Sequence, residues 1–170
     1  MDRQMKLRPT KAVLCCAFLV SLALMMALSP VRGVQASQDD SSEPWTNAQL
    51  IQPADFAREL AGARGTNRPA IVFVGVHTLF EGAHIPRAVF HGPTMTEQGL
   101  ADLKKWAQDL PRSTNMVIYC GCCPFDRCPN IRPAFVALRG MGFKRLRVLL
   151  TLTNFATDWV AKGYPVEKGK

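Results

Sequence analysis

Four cysteines fall within nine residues in the stretch Tyr119-Cys-Gly-Cys-Cys-Pro-Phe-Asp-Arg-Cys-Pro-Asn130, and no other cysteine follows residue 16. Thiols at this density allow three kinds of chemistry. A deprotonated thiol is a nucleophile, and positive potential around it favours the thiolate. Paired thiols close disulfides in an oxidising compartment. Four thiolates satisfy a zinc ion or an iron–sulfur centre.

The spacing bears on all three. Structural zinc sites usually join two short cysteine knuckles across a longer stretch. Here the C-x-C-C-x4-C pattern crowds every ligand into one loop, with Cys122 and Cys123 adjacent. A bridge from Cys122 or Cys123 to Cys128 would brace the loop and leave Cys120 free. A neighbouring thiol can also resolve an oxidised or persulfidated cysteine. For the nucleophile, Gly121 lets the chain turn sharply, and Arg127 and Arg132 bring positive charge near the loop.

The flanking elements decide where this loop sits. Met116 to Cys120 (MVIYC) is a short apolar run that reads as a buried strand, as do Ala70 to Val76 (AIVFVGV) and Leu146 to Leu150 (LRVLL). Between them, Pro53 to Ala63 and Glu97 to Leu110 carry apolar residues at helical spacing, the second as a stripe of Leu100, Leu103, Ala107 and Leu110. Pro133 to Met141 reads as a helix with Phe135 and Leu138 inward and Gly142 near its end. Asn154 caps a last helix through Lys162, which Gly163 stops. Gly82 to Val89 reads as a loop feeding a short apolar piece. Strands alternating with helices predict an α/β fold: a central, mainly parallel sheet flanked by helices on both faces. In such sheets ligands bind beyond the carboxyl ends of strands, which is where the cysteine loop begins.

The chain has 170 residues. Residues 1–36 read as a secretory signal: Arg3, Lys6, Arg8 and Lys11 precede the uncharged run Ala12 to Leu28, and Val34-Gln35-Ala36 ends it. An uncleaved membrane anchor is the alternative. Cys15 and Cys16 lie in that run as small hydrophobes. Removing the segment takes away five basic residues and one acidic residue, so the net charge falls from +8 to +4. No Lys/Arg run suggests nucleic-acid binding. Residues 37–44 are a polar lead-in, and 45–169 form one domain. The protein is thus expected to be exported, periplasmic or secreted. It would meet a membrane only if the first segment stays attached. Nothing in the sequence sets an oligomeric state.

Three separated segments carry a family likeness. Ala83-His-Ile-Pro-Arg-Ala88 is similar to a Gly-His-Ile-Pro-Gly-Ala stretch. Tyr119-Cys120 after an apolar strand, with a helix and Gly142-Phe143 beyond, is similar to an active-site cysteine and its helix. Asp158-Trp-Val-Ala-Lys-Gly-Tyr-Pro-Val166 is similar to a closing Trp…Gly-x-Pro-Val signature. In this order they resemble a single rhodanese (sulfurtransferase) domain spanning nearly all of the chain after residue 44.

The resemblance implies an enzyme that takes a sulfane sulfur from a donor such as thiosulfate onto a cysteine and passes it to cyanide or a thiol. Cys120 would be the nucleophile, and the following amides would cradle the outer sulfur. No cofactor and no resident metal are implied. Partners would be a small sulfur-containing anion and a thiol acceptor. The chain departs from the pattern in places. Gly75-Val76-His77 stands where Asp-Val-Arg is usual, and Asn154-Phe155 where Gly-Gly is usual. The loop is longer than usual. Cys122 to Arg127 reproduces the family's Cys-x4-Arg interval, which makes Cys122 a competing nucleophile. A non-catalytic domain with a disulfide-braced loop, and a thiolate metal-binding module, stand as the other two readings. His77, His84 and His91 read as loop or surface side chains, and Trp45, Trp106 and Trp159 as packing residues.

Overall fold

The computed structural model describes residues 43–169, apart from 64, 66 and 67. The expected signal segment and most of the lead-in lie outside these residues. Among the described residues no helix is long and apolar enough to cross a membrane.

Five strands form one sheet: β1 (Leu50–Ile51), β2 (Ala70–Phe73), β3 (Val89–Phe90), β4 (Met116–Tyr119) and β5 (Leu146–Leu149). Their order across the sheet is β1-β5-β4-β2-β3, and every pairing is parallel. Parallel strands need crossovers, and helices supply them. The connecting helices are α1 (Pro53–Gly62), α2 (His77–Gly82), α3 (Glu97–Gln108) and α4 (Ile131–Gly140); α5 (Phe155–Asp158) follows the last strand.

Side-chain alternation sorts the core into two layers. Val72, Val74, Met116, Ile118, Cys120 and Val148 point to one face, against Leu103 and Ala107 of α3 and Phe135 and Leu138 of α4. Ile71, Phe73, Val117, Tyr119 and Leu149 point to the other, against Phe56 of α1, Phe80 of α2 and Phe155 and Trp159 at the C-terminal end. All four residues of β4 are buried because both faces are covered, which explains the unbroken apolar run in the sequence.

Several boundaries differ from the sequence reading. β2 stops at Phe73, although the amide of Val74 makes one more ladder bond to Tyr119 O (2.9 Å). Beyond it the chain bends at Gly75 into α2, a single apolar-poor turn and a half that the sequence reading passed over. α4 starts two residues earlier than Pro133. Proline fits there because the third amide of a helix has no intrahelical partner. The last helix divides into α5 and a 3-10 turn, Val160–Lys162, and Gly163 at φ 74° ends it. The amide of Gly142 (φ 95°) bonds Arg139 O and that of Phe143 bonds Leu138 O, closing α4 in a glycine-terminated hook.

Candidate functional site

The site is assembled by the C-terminal end of β4, the loop after it and the first turn of α4. Tyr119 fixes the strand end. Its hydroxyl accepts from the amide of Ile85 (2.9 Å), and its ring packs between Phe73 and Phe155. Burial pushes the Tyr119 phenol well above its ordinary range, so it stays neutral. The next residue, Cys120, projects to the opposite face and is only 2% exposed.

Cys120 fits because Gly75 has no side chain. A Cβ on Gly75 would lie 2.7 Å from Cys120 Sγ and 2.9 Å from the Phe73 ring. The aspartate usual in the resembled pattern at this place would collide with the cysteine sulfur. Gly121 is less tightly held: a Cβ there would sit 3.3 Å from Phe73, and the ring would have to give by a few tenths of an ångström. Its backbone is not in the left-handed region.

From Gly121 the loop crosses to a 3-10 turn, Phe125–Arg127, and is held by the amide of Phe125 on Thr151 O (2.9 Å). All four loop cysteines are free thiols. Cys120 Sγ is 3.4 Å from Cys122 Sγ, and Cys122 Sγ is 2.9 Å from Cys123 Sγ. Cys128 returns from the far side of the loop, so that the sulfurs of Cys120, Cys122 and Cys128 all lie within 4.8 Å of one another. Cys120 and Cys128 are buried, Cys123 is half-buried and Cys122 is exposed.

The charge in this cluster is unevenly placed. The neighbouring Cys120 thiol, with the amides of Asn130 and Ile131 at the start of α4, holds the Cys128 thiol well below the usual thiol range despite its burial. The Cys128 sulfur and burial push Cys120 far up, and burial, with Cys122 beside it, raises Cys123.

The two arginines take different places. Arg127 lies exposed on the 3-10 turn. Arg132 bonds Glu43 Oε1 (2.7 Å) and Asp126 O (3.3 Å), and its guanidinium lies 5.5 Å from the centre of the Trp45 ring. It clamps the start of the domain to the loop and does not point at the sulfurs. Asn130, which sequence reasoning did not single out, is at the centre of the site. It is 2% exposed; its Oδ1 accepts from the amide of Met95 (3.0 Å), its carbonyl accepts from Thr94 Oγ1 (2.6 Å), and its Nδ2 approaches Cys120 Sγ (3.8 Å). Its one sequence signal is an asparagine just before a helix. Here it spends its side chain on tertiary contacts and makes no cap bond.

The histidines stand outside the cluster. His84 is buried, stacks on Phe80 (3.9 Å between centroids) and contacts Phe80 O through Nδ1 (2.8 Å). Its backbone exchanges two hydrogen bonds with Glu167 (2.9 and 2.8 Å), so the His-Ile-Pro stretch clasps the Tyr-Pro-Val end of the chain. His77 faces Glu81 and His91 faces Asp102. Trp159 and Trp45 are packed in the core, and Trp159 donates to Pro165 O (2.9 Å).

No family model matches the sequence, and no curated protein matches it. Solved structures do match the fold. The rhodanese-like domain of the Alr3790 protein from Anabaena sp. aligns with a TM-score of 0.50 and 21% identity, covering 71% of this chain and 79% of that one. A crystal structure of Alr3790 gives a TM-score of 0.54 at 20% identity, covering 69% and 82%. This chain has the rhodanese-like fold. The single-domain sulfurtransferase RDL2 of Saccharomyces cerevisiae is similar to it as well, at 12% identity and a TM-score of 0.50, over 68% of this chain and 90% of that one. Within the rhodanese-like fold, the loop from Cys120 to Asn130 connects the carboxyl end of β4 to the start of α4, where ligands bind in parallel sheets.

Proposed function

We propose that the protein is an exported sulfurtransferase that carries a sulfane sulfur as a persulfide on Cys120. The observation that supports this most is placement. Cys120 is the first residue beyond the central strand of a rhodanese-like fold, and its sulfur faces the start of α4. The reaction needs two exchanges. Cys120 passes its proton to the Cys128 sulfur as it attacks the outer sulfur of thiosulfate, a new S–S bond forms, and sulfite leaves with the electron pair of the broken bond. A thiolate acceptor or cyanide then attacks the outer sulfur of the persulfide, and the Cys120 thiolate leaves. No outside oxidant or reductant is consumed. Asn130 Nδ2, 3.8 Å from Cys120 Sγ, and the positive end of α4 offer the sulfur positive potential.

Cys122 is the competing carrier, because it is exposed and 3.4 Å from Cys120 Sγ. Peptide mass mapping after thiosulfate treatment separates the two. One sulfur mass removable by cyanide is expected on wild type and on Cys122→Ser, and absent from Cys120→Ser. An adduct that persists in Cys120→Ser moves the carrier to another cysteine. Absence of any adduct on the reduced wild type overturns the sulfur-transfer reading.

A further inference from the structure

The loop brings three sulfurs to one point from three places in the chain: the end of β4, the loop itself and the approach to α4. Cys120, Cys122 and Cys128 Sγ lie mutually within 4.8 Å, and the Cys120–Cys122 pair is at 3.4 Å. A thiolate holds a metal at about 2.3 Å, so sulfurs sharing one ion stand roughly 4 Å apart. The observed spacing reaches that by small side-chain rotations. Among the described residues no carboxylate or imidazole joins the group. The donor set is therefore all sulfur, which selects soft cations. Cys123, the fourth cysteine of the loop, falls outside the trio. Structural zinc is almost always four-coordinate, so three sulfurs suit it poorly.

We propose that Cys120, Cys122 and Cys128 form a three-thiolate site for a soft monovalent cation of the copper(I) class. Any proton still on a ligand passes to solvent as the ion binds, and no electron is transferred. The surroundings offset the excess negative charge. Asn130 Nδ2 approaches Cys120 Sγ (3.8 Å), the amides of Asn130 and Ile131 face Cys128, and the ten-residue helix α4 points its positive end at the cluster. The exposed thiol, Cys122, is the port of entry, and the two buried thiols complete the site. Because the ion and a sulfane sulfur use the same cysteines, either occupant excludes the other. The inference does not depend on sulfur transfer: a chain that takes no sulfur from thiosulfate still tests it.

The test is anaerobic titration of the reduced full chain, carrying Cys15→Ser and Cys16→Ser, with copper(I) delivered from a chromophoric competitor. One ion per chain is expected to be held against the competitor. Cys128→Ser should weaken binding by about a hundredfold or more, since losing a ligand costs no less than losing its supporting contacts. Cys123→Ser should bind like the parent. Equal binding by Cys128→Ser would place the ion on the adjacent Cys122–Cys123 pair and overturn the proposal, as would an equal loss in Cys123→Ser or no retained copper. X-ray absorption at the copper edge of the parent protein gives a check that needs no variant at the site. Three sulfur neighbours support the site, and two or four contradict it.

Discussion

Gly75 and Cys120 occupy one small volume, and each explains the other. With 2.7 Å between a would-be Cβ and Cys120 Sγ, even alanine at 75 must displace the sulfur or the Phe73 ring. Overpacking of this kind costs about 1–3 kcal/mol. Gly75→Ala is expected to lower stability by that amount in a denaturant titration and to reduce sulfur uptake by mass mapping. Unchanged values for both would mean that Cys120 is not wedged against this glycine. At this scale the sequence is informative about residue types and poor about partners. The four thiols, their loop and the strand beneath them are legible because they are contiguous. Asn130 is not, because its contacts are with Met95 and Thr94, more than 30 residues away. Arg132 shows the same limit from the other side. It is a cation near the loop in sequence, but Glu43 and Trp45 draw it outward.

Among the elements, the turn before β3 carries a local cost. Arg87 has φ 68° in the left-handed region, where the resembled pattern has glycine. A side chain there costs roughly 1–2 kcal/mol. The turn is held by the Arg87 amide on Glu167 Oε2 (3.1 Å) and by the paired bonds of His84 and Glu167. Arg87→Gly should raise stability by about 1 kcal/mol, after allowing for the extra freedom of glycine in the unfolded chain. A measured loss would show that the arginine side chain contributes more than its backbone strain takes away. The elements that escaped the sequence reading are the short ones. β1 and β3 have two residues each, too few to show a period. They exist because β5 and β2 offer parallel partners, which is a tertiary condition. α2 has six residues and buries only Phe80, so its apolar signal is a single side chain. The long elements, α1, α3, α4, β4 and β5, were legible because both amphipathic period and full burial leave marks in composition.

Across the whole molecule, the sheet is closed at the end opposite the cysteines by an ion pair. Arg147 on β5 makes two bonds of 2.7 Å to the carboxylate of Glu59 on α1 and one of 3.1 Å to Asn115. The hydrogen bonds from Arg147 hold the Glu59 carboxyl below its ordinary value of 4.5, against partial burial. A carboxyl depressed in the folded state binds protons more readily when unfolded. Its stabilisation is thus full above 4.5 and is lost as pH falls through the folded value. Glu59→Gln should lower stability near neutral pH by about 1 kcal/mol and flatten the acid limb of the stability profile. An acid limb identical to wild type would remove this pair from the account. The α/β class, the parallel sheet and the two covered faces followed from alternating strands and helices. The strand order did not, because it depends on which helix covers which face.

The central claim is that Cys120 carries the transferred sulfur. Steady-state formation of thiocyanate from thiosulfate and cyanide by the reduced protein tests it most directly. Wild type and Cys122→Ser are expected to turn over, and Cys120→Ser to fall to background while keeping a wild-type unfolding transition. Turnover by Cys120→Ser, or loss confined to Cys122→Ser, would contradict the account.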